Sequence, residues 1–113
     1  MAERKGTDRK LISKVFNYNE IVAYQDGSIV SRTIIDKDEG TVTVFAFDEG
    51  QRLSTHSAPF DALVQIVDGT GIIQIEDEVF EINTPGAIIM PANKPHAVKA
   101  VERFKMMLTM IKS

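Results

Sequence analysis

The chain has no cysteine among its 113 residues. That excludes disulfides and thiolate metal sites, so a metal would need imidazole, carboxylate, amide or water ligands. Histidine is nearly as scarce: His56 and His96 are the only two. There is no basic excess. Thirteen Lys and Arg face 16 Asp and Glu, a net charge of -3, which is too small and of the wrong sign for a general nucleic-acid binder. No apolar run is long enough to span a membrane. The first ten residues, M-A-E-R-K-G-T-D-R-K, are followed by no apolar stretch of signal-peptide length. The expectation is a cytoplasmic protein with neither nucleic-acid nor membrane partners.

What is present is an ordinary globular composition, 43% hydrophobic and 26% charged, in a chain the size of one domain. Such a chain can bury a core without staples. Residues 1–10 are almost all polar and predict a mobile tail, leaving 11–113 as a single domain. In the segment L-I-S-K-V-F-N-Y-N-E-I-V-A-Y, Val15, Ile21 and Tyr24 are candidates to pack against a wall, and Asn17 and Asn19 suggest turns.

From Ser28 onward the pattern is that of strands. S-I-V-S-R-T-I-I-D is β-branched, and T-V-T-V-F-A-F carries apolar groups on both faces. The second pattern predicts a strand between a core and another surface. Gly69-Thr70-Gly71 reads as a turn between strands, and Asp77-Glu78 as the tip of a hairpin. Roughly eight to ten short strands fit, and no window makes an amphipathic helix. Short strands leave exposed edges, so the chain is expected to close into a barrel or pair with a second copy. The apolar faces at Phe45-Phe47 and Met106-Met110 favour a homodimer.

Both histidines bound one stretch. It opens with G-Q-R-L-S-T-H (Gly50 to His56) and closes with P-A-N-K-P-H (Pro91 to His96). Gly50, five residues and His56, ending at Gly69, follow a pattern usually written G-x5-H-x-H-x3,4-E-x6-G. Pro91, Asn93 and His96 follow the P-x-G-x2-H part of a second pattern, with Asn, which tolerates a left-handed backbone, in place of Gly. Together these resemble the two motifs of the small single-domain cupins. The resemblance implies an all-β fold, a cupin-type double-stranded β-helix (jelly-roll) barrel.

In metal-binding cupins the two histidines and the Glu of the first motif and the His of the second bind Fe, Mn, Ni or Zn. Matched position by position, this chain keeps His56 and His96 and has Ala58 and Ala62 where the other His and the Glu stand. The resemblance therefore implies a degenerate metal motif: at most one divalent transition metal (Zn, Fe, Mn or Ni) at low occupancy. Asp61, beside Ala62, would complete the set only if a bulge turned it inward, and Gln65 has the same parity.

The two alanines open volume and lower polarity. Phe47, Phe60, Met90, Met106 and Met110 are available as walls. The expected function is small-molecule binding around His56 and His96, with Ala58, Ala62 and Met90 as further ligand contacts. The alternatives are a metal-dependent oxygenase or isomerase, a metal-free catalyst using a neutral imidazole, and a non-catalytic dimerisation domain. The plainer reading of both histidines is that they are hydrogen-bonded and inert.

Overall fold

The computed structural model describes residues 6–112. Among these, nine strands and one helical turn follow in order: β1 (Gly6–Thr7), α1 (Tyr18–Ile21), β2 (Ile29–Lys37), β3 (Gly40–Phe47), β4 (Arg52–His56), β5 (Phe60–Ile75), β6 (Glu78–Asn83), β7 (Ala87–Met90), β8 (His96–Lys99) and β9 (Phe104–Lys112). Every pairing is antiparallel. The strand order is β1-β2-β3-β9-β5-β8-β4, with β6 and β7 also on β5. This is the all-β double-stranded β-helix.

Strand β5 organises the barrel. Its first part pairs with β7 and β9 and its second with β6 and β8, so one strand of 16 residues belongs to both sides. It changes sides after a bulge between Ile66 and Asp68, at Gly69, whose φ is 73°. A Cβ on Gly69 would lie 2.6 Å from the Arg103 carbonyl oxygen. Gly69-Thr70-Gly71 is therefore not the turn that its composition suggests. Gly69 lets the strand bend and lets β9 begin against it. The reversal comes at Glu76-Asp77, one residue earlier than the expected hairpin tip, because Ile75 pairs with Glu78.

Strand β3 has two buried faces, as its composition predicts. Phe45 and Phe47 point into the barrel with Ile66, Met106 and Phe104. Val44 and Ala46 point outward, into a second core with Val22, Ile34 and Met107. The N-terminal arm covers that second core, with Leu11, Phe16, Ile21 and Tyr24 packed on it. Each fully buried side chain of this kind contributes about 1.5–3 kcal/mol.

Polar contacts fasten the arm. Asp8 pairs with Arg32 at 3.0 Å. The Lys105 ammonium donates to the Asn19 carbonyl at 2.6 Å, and the Tyr24 hydroxyl donates to Asp68 at 2.5 Å. Burial, and then the Asp68 carboxylate, raise the Tyr24 pKa and keep the phenol a donor.

Several expectations are corrected here. In the predicted tail, residues 1–5 lie outside the described residues. Gly6–Thr7 pair with β2, because that strand's free edge offers ladder partners, and Asp8 is anchored. Val15 is fully exposed, so it packs on no wall. Asn17 caps α1, accepting from the Asn19 N–H at 2.9 Å, where turns between extended pieces were the expectation. Phe45-Phe47 and Met106-Met110, whose apolarity favoured a homodimer, are consumed within the chain: Phe47 and Met106 lie in the barrel and Met107 under the arm.

Candidate functional site

Strands β4 and β8 bring the two histidines together. His56 ends β4, His96 begins β8, and the two are direct cross-strand partners. A bulge between Leu53 and His56 adds one residue to β4, so both of these side chains face the interior. The imidazole centroids are 4.5 Å apart with an interplanar angle of 68°. His96 is buried at 7% exposure, whereas His56 is exposed at the rim.

Each ring is oriented by a backbone carbonyl two residues before it. His56 Nδ1 lies 3.0 Å from the Ser54 oxygen, and His96 Nδ1 lies 3.2 Å from the Lys94 oxygen. A carbonyl only accepts, so each neutral ring carries its proton on Nδ1 and leaves Nε2 with a free lone pair. Burial pushes the His96 pKa below its usual value. A charge on His56 would lower it further, against the opposing pull of the Lys94 carbonyl.

The histidines line a cavity of about 280 Å³. Ala58, Ala62 and Met90 line it too, so all five candidate ligand contacts meet in one space. Of the candidate walls, Phe60, Met106 and Met110 also face it. Phe47 does not: it is stacked on Phe104, with ring centroids 4.7 Å apart, deeper in the barrel. Phe45, Leu53, Val98 and Leu108 complete the lining. The alternation of β3 and β9 offered a signal for Phe45 and Leu108. Leu53 and Val98 depend on the β4 bulge and its register with β8, which no local pattern announces. A groove of about 410 Å³ on the outside of β4 and β8, beside Arg52 and Lys99, holds neither histidine.

The loops at the histidine end are tied to each other. Asn93 adopts φ 66°, and its N–H donates to the Ala58 carbonyl at 2.7 Å. Asp61 Oδ1 accepts from the Ala92 N–H at 2.9 Å. Asp61 is thus committed on the outer side of β5. No bulge turns it inward, because the ladder to β9 runs unbroken from Phe60 to Ile66. Gln65 shares that outer face, opposite Met107. Neither lines the cavity.

The donor set does not suit a firmly held hard divalent metal. Such sites use three or more imidazole and carboxylate ligands. The cavity supplies two imidazoles, and no group of three His, Cys, Asp or Glu occurs among the described residues. Of the candidates to complete the set, Asp61 is engaged by the Ala92 N–H and Gln65 lies on the outer face of β5.

No family model matches the chain, and no curated protein matches it. Solved structures do. The chain is similar to a conserved protein of unknown function from Streptococcus pyogenes, with 34% identity, TM-score 0.91 and 96% of each chain covered. It is similar to a cupin 2 conserved barrel domain protein from Leptotrichia buccalis, with 39% identity and TM-score 0.80. That match covers 82% of this chain and 45% of the other, so this chain spans less than half of that protein. It is also similar to an RmlC-like cupin protein from Desulfovibrio desulfuricans, with 25% identity, TM-score 0.75 and coverage of 87% and 95%. By its barrel, its paired motif histidines and these likenesses, the chain belongs to the cupin family.

Proposed function

We propose that this cupin binds a small, mostly apolar molecule whose polar handle donates a hydrogen bond to the His56–His96 pair. One observation carries the reading: two imidazoles with Nδ1 engaged and Nε2 free face an otherwise apolar cavity. The volume of about 280 Å³ lies just below the ~300–1,000 Å³ common for ligand pockets, which favours a ligand of about one ring. Neutral acceptors in a low-dielectric wall select donors over anions. The cytoplasm remains the proposed compartment. No helix among the described residues is long and apolar enough to cross a membrane.

Phenol and toluene test the reading, because they share an apolar body and differ in one donor. In NMR titrations the wild-type protein is expected to bind phenol about fivefold tighter, the worth of one net hydrogen bond of ~1 kcal/mol. A His56→Ala, His96→Ala double variant is expected to bind both alike. Equal affinity in the wild type would remove the role assigned to the histidines.

A homodimer also belongs to the proposal, on another face. Ile35, Val42, Thr109, Leu63 and Ile89 form a cross-strand row on the outer surface, with Leu63 36% and Ile89 64% exposed. Light scattering is expected to give a dimer for the wild type and a monomer for Leu63→Lys, Ile89→Lys. A monomeric wild type would end this part of the reading.

A further inference from the structure

The cavity that lacks hard ligands is rich in soft ones. Three of the five methionines in the chain, Met90, Met106 and Met110, line it beside the two histidines. Two of them have a special placement. Ala62 on β5 pairs with Met90 on β7 at one side and with Met110 on β9 at the other. Cross-strand neighbours stand with Cβ atoms about 4.5–5.5 Å apart, so a thioether from either side can reach over the small Ala62 side chain. This row lies at the histidine end. Met90 leads directly into the 91–95 loop, which is bonded to Ala58 through Asn93 and continues into His96.

We propose that the histidine end of the cavity is a copper(I) site, formed by Nε2 of His56, Nε2 of His96 and the thioether sulfur of Met90 or Met110. The chemistry selects the ion. Thioether and imidazole donors suit soft, monovalent copper, whereas zinc calls for a third imidazole, thiolate or carboxylate, and iron(II) and manganese(II) for carboxylates, none of which the cavity supplies. Two or three ligands suffice for copper(I), a closed-shell ion with no octahedral demand. The Ser54 and Lys94 carbonyls already perform the outer-shell task, engaging Nδ1 of each imidazole and leaving Nε2 as the ligating atom. A neutral, apolar wall costs a monovalent ion less than a divalent one, because desolvation rises steeply with charge. The site shares the imidazoles with the proposed organic ligand but does not rest on it. It occupies one end and leaves the apolar remainder free.

The test is anaerobic titration of the purified protein with copper(I), in competition with the chromophoric chelator bicinchoninate. The expected result is one copper per chain in the wild type, with zinc(II) bound far more weakly in a parallel competition. Met90→Leu, Met110→Leu conserves volume and is expected to fold. It should weaken copper(I) by at least the ~10- to 100-fold that loss of an outer-shell partner alone costs. His56→Ala, at the exposed rim, should weaken it similarly. Thermal melts of the copper-free proteins establish that each variant is folded. Wild-type copper affinity in the double Met variant, zinc binding as tight as copper, or no copper uptake by the wild type would each overturn the proposal. None of these outcomes bears on the phenol–toluene comparison, so the two readings fail separately.

Discussion

The two ends of the barrel interior are built from the same strands and differ in what fills them. At one end, Phe47 of β3 stacks on Phe104 of β9, and Phe104 packs close against Gly69 and Gly71 of β5. At the other end, the same three strands contribute Phe45, Met110 and Ala62, and the space between them and the histidines stays hollow. Rigid, interlocked aromatics against glycine make a floor. Alanine, flexible methionine and paired imidazoles make a site. The difference shows that stability and binding are separated along a single set of strands, by side-chain volume rather than by fold.

Breaking the floor should have the largest effect. Phe104→Ala, at a fully buried position, is expected to cost about 3–5 kcal/mol in denaturant unfolding, from lost burial plus the cavity left behind. A loss below 1 kcal/mol would mean that the filled end is not the structural one. Gly69→Ala comes next. It combines a left-handed φ with a Cβ 2.6 Å from the Arg103 carbonyl, and is expected to cost more than the ~1–3 kcal/mol of backbone strain alone.

Filling the hollow end should do the opposite. Ala62→Leu adds three carbons toward an open cavity and is expected to change stability by less than about 1.5 kcal/mol, while abolishing phenol binding. If it destabilised as much as Phe104→Ala, the distinction between the ends would collapse. The smallest effect is pH dependence. The folded protein holds the His96 pKa below its usual 6.5, so the unfolded chain binds the extra proton first. The contribution of His96 to stability is therefore complete above about pH 6.5 and declines as pH falls toward the lowered folded value. Melting temperatures from pH 7.5 to 5.5 should fall more for the wild type than for His96→Gln. Parallel curves would show that the imidazole does not titrate differently on folding.

The fold was largely legible in the sequence, and the site only in part. The strands of β2 and β3, the two-faced burial of β3 and a hairpin within one residue of Asp77-Glu78 follow from short-range alternation and turn residues. The motif spacing drew His56, Ala58, Ala62 and His96 into one hypothesis, and one cavity holds all four. Gly69-Thr70-Gly71 misled because glycine marks a turn and a close backbone approach with the same letter. The arm misled because a polar sequence carries no sign that a strand edge and an apolar outer face await it. Phe47 was a reasonable wall by parity, yet stacking on Phe104, 57 positions away (104 − 47), took it elsewhere.

The sequence by itself determined the class of the fold, the absence of thiolate chemistry and the placing of its two histidines at the ends of one stretch. These depend on composition, local periodicity and fixed spacing. The tertiary structure alone decided which way Asp61 points, that Leu53 and His56 both turn inward, and that Met90 and Met110 flank Ala62. These depend on a bulge and on the register between strands distant in the chain. Register is fixed only when every strand of the barrel is paired, because a shift of one residue would turn each side chain to the other face.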